Sequence, residues 1–197
     1  MAKQTMKLII TFFLSVISFS ISANVYFMAD KEKELFENKV KGFITGYSDN
    51  IFEIKFAKIN DEFFLYEIHD AHIISGLHLG SLQTQKSTKI LGGFPKTIGY
   101  DNSGNEIKVI SKHSSMHRGI ATESIYISTC NKQSFICDNQ EVVRANWDAD
   151  TGNCGRDLKN ATEIVSIELE KSEVKVVTKE FDCSNSSTKI SNLSFAM

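Results

Sequence analysis

Beyond the first two dozen residues, apolar and polar positions alternate in short runs, broken by Asn, Asp, Gly and Ser. A period of two is the signature of strands with one covered face, and the breaks are turn chemistry. The clearest unit is IFEIKFAKI-ND-EFFLYEIH, two β-rich runs around Asn60-Asp61, a pair suited to a two-residue hairpin turn. That register sets Phe56 opposite Leu65, Ile54 opposite Glu67 and Phe52 opposite His69. Phe52, Ile54, Phe56, Phe63 and Leu65 then share one face, and Ala57, Phe64, Tyr66 and Ile68 the other. A second hairpin is predicted from TIGY-DNSG-NEIKVI, with Asp101 to Gly104 as the turn and Ile98 facing Ile107. A third, EIVSIELE-KS-EVKVVTKEF, pairs Glu170 with Glu173, Leu169 with Val174 and Ile167 with Val176. On its other face Glu168 meets Lys175, an opposite-charge pair that favours this register.

GIATESIYISTC (119–130) and QEVVRANW (140–147) supply further strands, and LGGFPK, with the one proline, reads as a loop. A single segment has helical character. In ADKEKELFENKV (29–40), Leu35, Phe36 and Val40 form a narrow stripe, and Asp30 is placed to cap its start. Many strands and one helix predict a mainly β fold, a single antiparallel sandwich or barrel-like domain. A parallel sheet would need crossover helices that the pattern does not contain.

The N-terminal stretch breaks this pattern. Lys3 and Lys7 precede an apolar run from Leu8 to Ile21, and Ser22-Ala23 follows. That order is an export signal with cleavage expected after Ala23; a retained anchor is the alternative, for which the run is short. The expected organisation is a signal peptide over 1–23, one β-rich domain over 24–183 and a polar tail over 184–197. Losing Lys3 and Lys7 takes the formal charge from −2 to −4. A mildly acidic chain without a basic cluster argues against nucleic acid and against an anionic membrane surface as partner.

Cys130, Cys137, Cys154 and Cys183 are an even set behind an export signal, which predicts two disulfides in a periplasmic or secreted protein. Sequence permits three connectivities. Hairpin return favours Cys130 with Cys137 and Cys154 with Cys183; the rival joins Cys130 to Cys183 and Cys137 to Cys154.

The candidate chemistry is sparse. His72, His78, His113 and His117 are the material for a metal site, with His113 and His117 on one face at a spacing of four. A metal centre needs three or four convergent ligands, and no familiar spacing is present. His69 is expected to pack beside Phe52. Ser114 and Ser115 lie between histidines, but adjacency in sequence does not activate a serine. NWDADTGNCGRD (146–157) departs from a calcium loop, because Gly152 and Lys159 fall where that loop needs other residues. A disulfide-held loop bearing Trp147 beside Arg144, Asp148, Asp150 and Arg156 reads better as a contact surface, since Trp and Arg dominate binding hot spots. Asn160, Asn185 and Asn192 stand in N-x-[ST] sequons, relevant only in a glycosylating host.

These features lead to an exported, non-enzymatic binding protein without a cofactor. Its expected partner is a protein, such as an envelope-attacking enzyme held by an inhibitor or immunity-type protein. The alternatives are a metal-dependent envelope enzyme built on His113 and His117, and a sugar-binding module with Trp147 as stacking platform.

Overall fold

The computed structural model describes residues 22–44, 53–69, 75–151, 154–155 and 158–197. They form three antiparallel sheets and one helix. Apart from Ser22 and Ala23, the expected signal lies outside them, as do Phe52, Asp70, His72 and Arg156.

The helix α1 (Asp30–Val40) follows β1 (Ser22–Asn24). Ala29, not Asp30, is its N-cap residue, and its carbonyl accepts from Lys33 N at 2.8 Å. Asp30 instead joins Glu32 in the first turn, where carboxylates face the positive end of the helix dipole. Val40 is buried and Phe36 packs edge-on against Phe56 and Phe64, at 5.4 and 5.1 Å. Leu35, expected in the stripe, is 74% exposed.

A four-stranded sheet runs in the order β2 (Glu53–Lys58), β3 (Phe63–His69), β4 (Gly76–Ser81), β5 (Lys86–Gly92). Its first hairpin is shifted by one residue from the sequence expectation. Phe56 pairs with Tyr66, Ala57 with Leu65 and Glu53 with His69. The cause is Asn60, whose Oδ1 accepts from both Glu62 N and Phe63 N at 2.8 and 2.7 Å. That side chain organises a three-residue turn, Asn60 to Glu62, closed by Ile59 N donating to Phe63 O. One added residue exchanges faces. Ile54 and Phe56 therefore join Phe64, Tyr66 and Ile68 beneath α1, while Ala57, Phe63 and Leu65 face the next sheet.

The second sheet has the order β1, β6 (Pro95–Ser103), β7 (Glu106–His117), β8 (Ile120–Asn131), β9 (Cys137–Asp148). Here the expected loop around Pro95 contracts to Gly93-Phe94, and the proline opens β6, where a strand tolerates it. The β6–β7 turn is Gly104-Asn105 rather than Asp101–Gly104. Gly104 supplies the positive φ of 49°, so Asn102 faces Ile107 and Ile98 becomes a bulge residue.

β10 (Asn160–Glu170), β11 (Glu173–Asp182) and β12 (Thr188–Ala196) form the third sheet. The β10–β11 pairing is the expected one, with Glu170 on Glu173, Glu168 on Lys175 and Ile167 on Val176. Residues 184–197, read from sequence as a polar tail, instead supply β12, which pairs with β11 without a register break. Its Phe195 packs against the inner apolar cluster, and Met197 is buried in it.

Three apolar clusters join these layers. One lies between α1 and the four-stranded sheet, and a second between that sheet and the Tyr100, Ile107 and Val109 face of the five-stranded sheet. The third unites Ile110, Ile125 and Val143 on the opposite face with Val174 and Val176. The architecture is a sandwich of open sheets, not a closed barrel. Cys130 and Cys137 face each other across β8 and β9 and are bridged, with Cα atoms 4.0 Å apart; Cys154 and Cys183 form the second bridge at 5.4 Å. Both bridges follow the hairpin-return connectivity.

Candidate functional site

The described histidines are dispersed by the sheets that carry them. His78 lies on the helix side of the four-stranded sheet, buried and stacked on Tyr66 with ring centroids 4.7 Å apart. Burial, and then the nearby Lys89 ammonium, push its pKa down to about 4 against the smaller opposing effect of a hydrogen bond with the Gly76 backbone. His113 and His117 belong to β7 of the next sheet, so His78 cannot join them. His113 is half-buried beneath Gly93; a Cβ there would lie 2.4 Å from its Nε2, and the φ of +81° also demands glycine. Among the described residues, no three His, Cys, Asp or Glu side chains are grouped so as to hold a metal ion.

His69 pairs with Glu53 rather than Phe52. Its Nε2 is 3.3 Å from Glu67 Oε2, and its ring stacks on Phe94 at 6.4 Å. The other oxygen of buried Glu67 accepts from Thr97 N at 2.8 Å and Thr97 Oγ1 at 2.6 Å. This carboxylate ties two sheets together, a role the sequence pattern did not signal because Glu67 falls on a face expected to be apolar. Ser114 Oγ reaches Glu123 at 3.4 Å, and that glutamate also holds Lys112, so among the described residues the serine has a carboxylate neighbour but no imidazole partner.

Asp148 organises the turn after β9. Its Oδ1 accepts from Asp150 N and Thr151 N, both at 3.0 Å, and from Thr151 Oγ1 at 3.2 Å. Gly155 approaches so closely that a Cβ would sit 2.2 Å from the Asp148 carboxyl. Oδ1 of this aspartate is thus engaged by its own turn, and Asp150 is exposed beside it. Arg144 makes a two-point contact with Glu141 at 2.6 and 2.7 Å. That guanidinium, helped by Ser124 and Tyr126, holds the Glu141 carboxyl below its ordinary range.

Arg144 and Trp147, expected on one surface, point to opposite faces of β9, because three residues separate them on a strand. Trp147 gains a different neighbour. β6 ends its pairing with β7 at His113, whereas β7, β8 and β9 continue, closing at an Arg118-Gly119 turn with φ of 51° and 80°. Across this projecting tip Met116 pairs with Ala121, and Ala121 with Trp147. The three side chains lie in one row, with the small alanine between a methionine that is 70% exposed and a half-buried tryptophan. Sequence reading found Trp147; Met116 emerges only once the register is known.

The described chain is thus a disulfide-bonded, three-sheet antiparallel β protein with a projecting three-strand tip. No protein family, no curated protein and no solved structure matches it.

Proposed function

We propose that the chain is a non-enzymatic binding protein of an oxidising compartment, periplasmic or extracellular, that docks a protein partner through the tip of the five-stranded sheet. The observation that carries this reading is the Met116–Ala121–Trp147 row. It offers a shallow apolar notch on paired strands, and a preformed surface loses little entropy on association. Leu35 and Ile136, also exposed, stand on separate elements. Two disulfides fit an oxidising environment. No helix among the described residues is long and apolar enough to cross a membrane. An inhibitor or immunity-type protein directed at an envelope-attacking enzyme is the form of partner recognition this reading favours.

The test places a photo-crosslinking amino acid at position 116 in protein expressed in its native host. One stoichiometric protein adduct, lost in Trp147→Ala and retained in the distant control Leu35→Asp, is the expected result. A stoichiometric metal in the native protein, accompanied by hydrolytic activity that chelation removes, would overturn it.

A further inference from the structure

A cleft of about 410 Å³ lies between β6–β7 and β10. It falls in the size range of small-molecule sites, roughly 300–1,000 Å³. Among its lining residues Lys96 and Lys112 are directly opposed in the β6–β7 ladder. Like charges so placed repel unless an anion separates them. Lys112 has one: Glu123 Oε1 is 2.7 Å from its Nζ. Lys96 has no ion pair among the described residues and stands exposed to solvent, free to meet an anion entering the cleft.

Thr97 and Ser166 also line the cleft beside Ile98, Ile164, Val165 and Ile167, and its form comes from two irregularities. β6 bulges at Ile98 and β10 at Val165, and both bulge residues line the space, with Ile164 behind them. Bulges re-aim side chains and recur beside binding sites. Here they hold Val165 54% exposed at the mouth while Ile98 and Ile164 pack against the apolar cluster below.

We propose that this cleft binds a small amphiphilic monoanion, a carboxylate head on Lys96 with a short apolar body lying along Ile98, Ile164 and Val165. The net charge selects the sign of the head, and the isoleucine and valine walls select the body. A neutral alcohol of equal length lacks the first contact, and acetate lacks the second.

The probe is decanoate, titrated into the full chain by calorimetry, with decanol, decyltrimethylammonium and acetate as comparisons. Saturable one-to-one binding of decanoate is expected, with each comparison compound weaker by about tenfold or more, the effect of losing one charged hydrogen bond or its apolar counterpart. Lys96→Gln lowers affinity by about the same factor. Val165→Trp, which fills the mouth from an exposed position, abolishes binding; an unaltered thermal transition in both variants shows that the fold is intact. Absence of saturable binding, equal binding of decanol, or decanoate affinity unchanged in Lys96→Gln would overturn the assignment.

Discussion

The four-stranded and three-stranded sheets are both antiparallel, yet they are stabilised differently. β3 and β4 are covered on both faces, by α1 on one side and by the five-stranded sheet on the other, so successive residues are all buried except His69. Among the described residues, only one face of the three-stranded sheet is covered. Along β11 the fully buried Val174 and Val176 alternate with Lys175 and Val177, which line the outer face. The doubly covered sheet concentrates the core. The singly covered one is held by one face, by its turns and by the Cys154–Cys183 bridge.

Adjacent substitutions expose the contrast. Phe64→Ala and Leu65→Ala remove neighbours on opposite faces of β3, and each is expected to cost about 3–5 kcal/mol in urea unfolding. Their equivalents on β11 diverge: Val174→Ala is destabilising, whereas Lys175→Ala is not. If Phe64→Ala and Leu65→Ala behaved as one large and one negligible effect, the double coverage would be wrong.

Removal of the Cys154–Cys183 bridge by paired alanines is expected to cost about 3.5 kcal/mol, and removal of the shorter Cys130–Cys137 bridge about 2.5 kcal/mol, on chain entropy. Thermal denaturation of the two double variants measures the order. The larger loss belongs to the sheet with the smaller core.

His78 gives the doubly covered sheet a pH dependence. In the unfolded chain it titrates near its ordinary 6.5, and in the fold near 4. Between those values the unfolded state binds more protons. Stability is therefore full above pH 6.5 and falls as pH drops to 4, by about 3 kcal/mol from this group, with no further loss from it below. Unfolding free energies measured from pH 7 to 4 check this, and His78→Leu should flatten that part of the profile.

The smallest expected effect is at Lys175, whose ion pair with Glu170 is exposed to solvent and salt. Lys175→Met should leave the unfolding midpoint unchanged within error, while Val174→Ala beside it shifts it clearly.

The same contrast governs what could be read from the amino acids. In β10–β11 the alternation is one-sided, and the charge pair Glu168–Lys175 rejects a slip, so the register is legible residue by residue. In β2–β3 both parities are apolar. A slip of one residue still leaves apolar side chains on both faces of β3, and the Asn60 side chain decides between the two registers. The β12 strand was hidden because its outward positions, Thr188, Asn192 and Ser194, carry the composition of a disordered end. Of the site, Trp147 and the disulfides were visible. The apposition of Lys96 with Lys112 was not, since it depends on the two-residue Gly104-Asn105 turn and a bulge at Ile98.

Each disulfide joins cysteines that are consecutive along the chain, Cys130 to Cys137 and Cys154 to Cys183. Of the three ways to pair four cysteines, this is the one that needs no thiol to wait for a partner beyond the next. A chain delivered N-terminus first into an oxidising compartment can close the first bridge before the second pair arrives. Oxidation in order of arrival then gives the native linkage directly, and the protein makes little demand on disulfide isomerisation. Slow, N-terminus-first delivery of the reduced chain to an oxidant should therefore raise, not lower, the yield of correctly bridged protein.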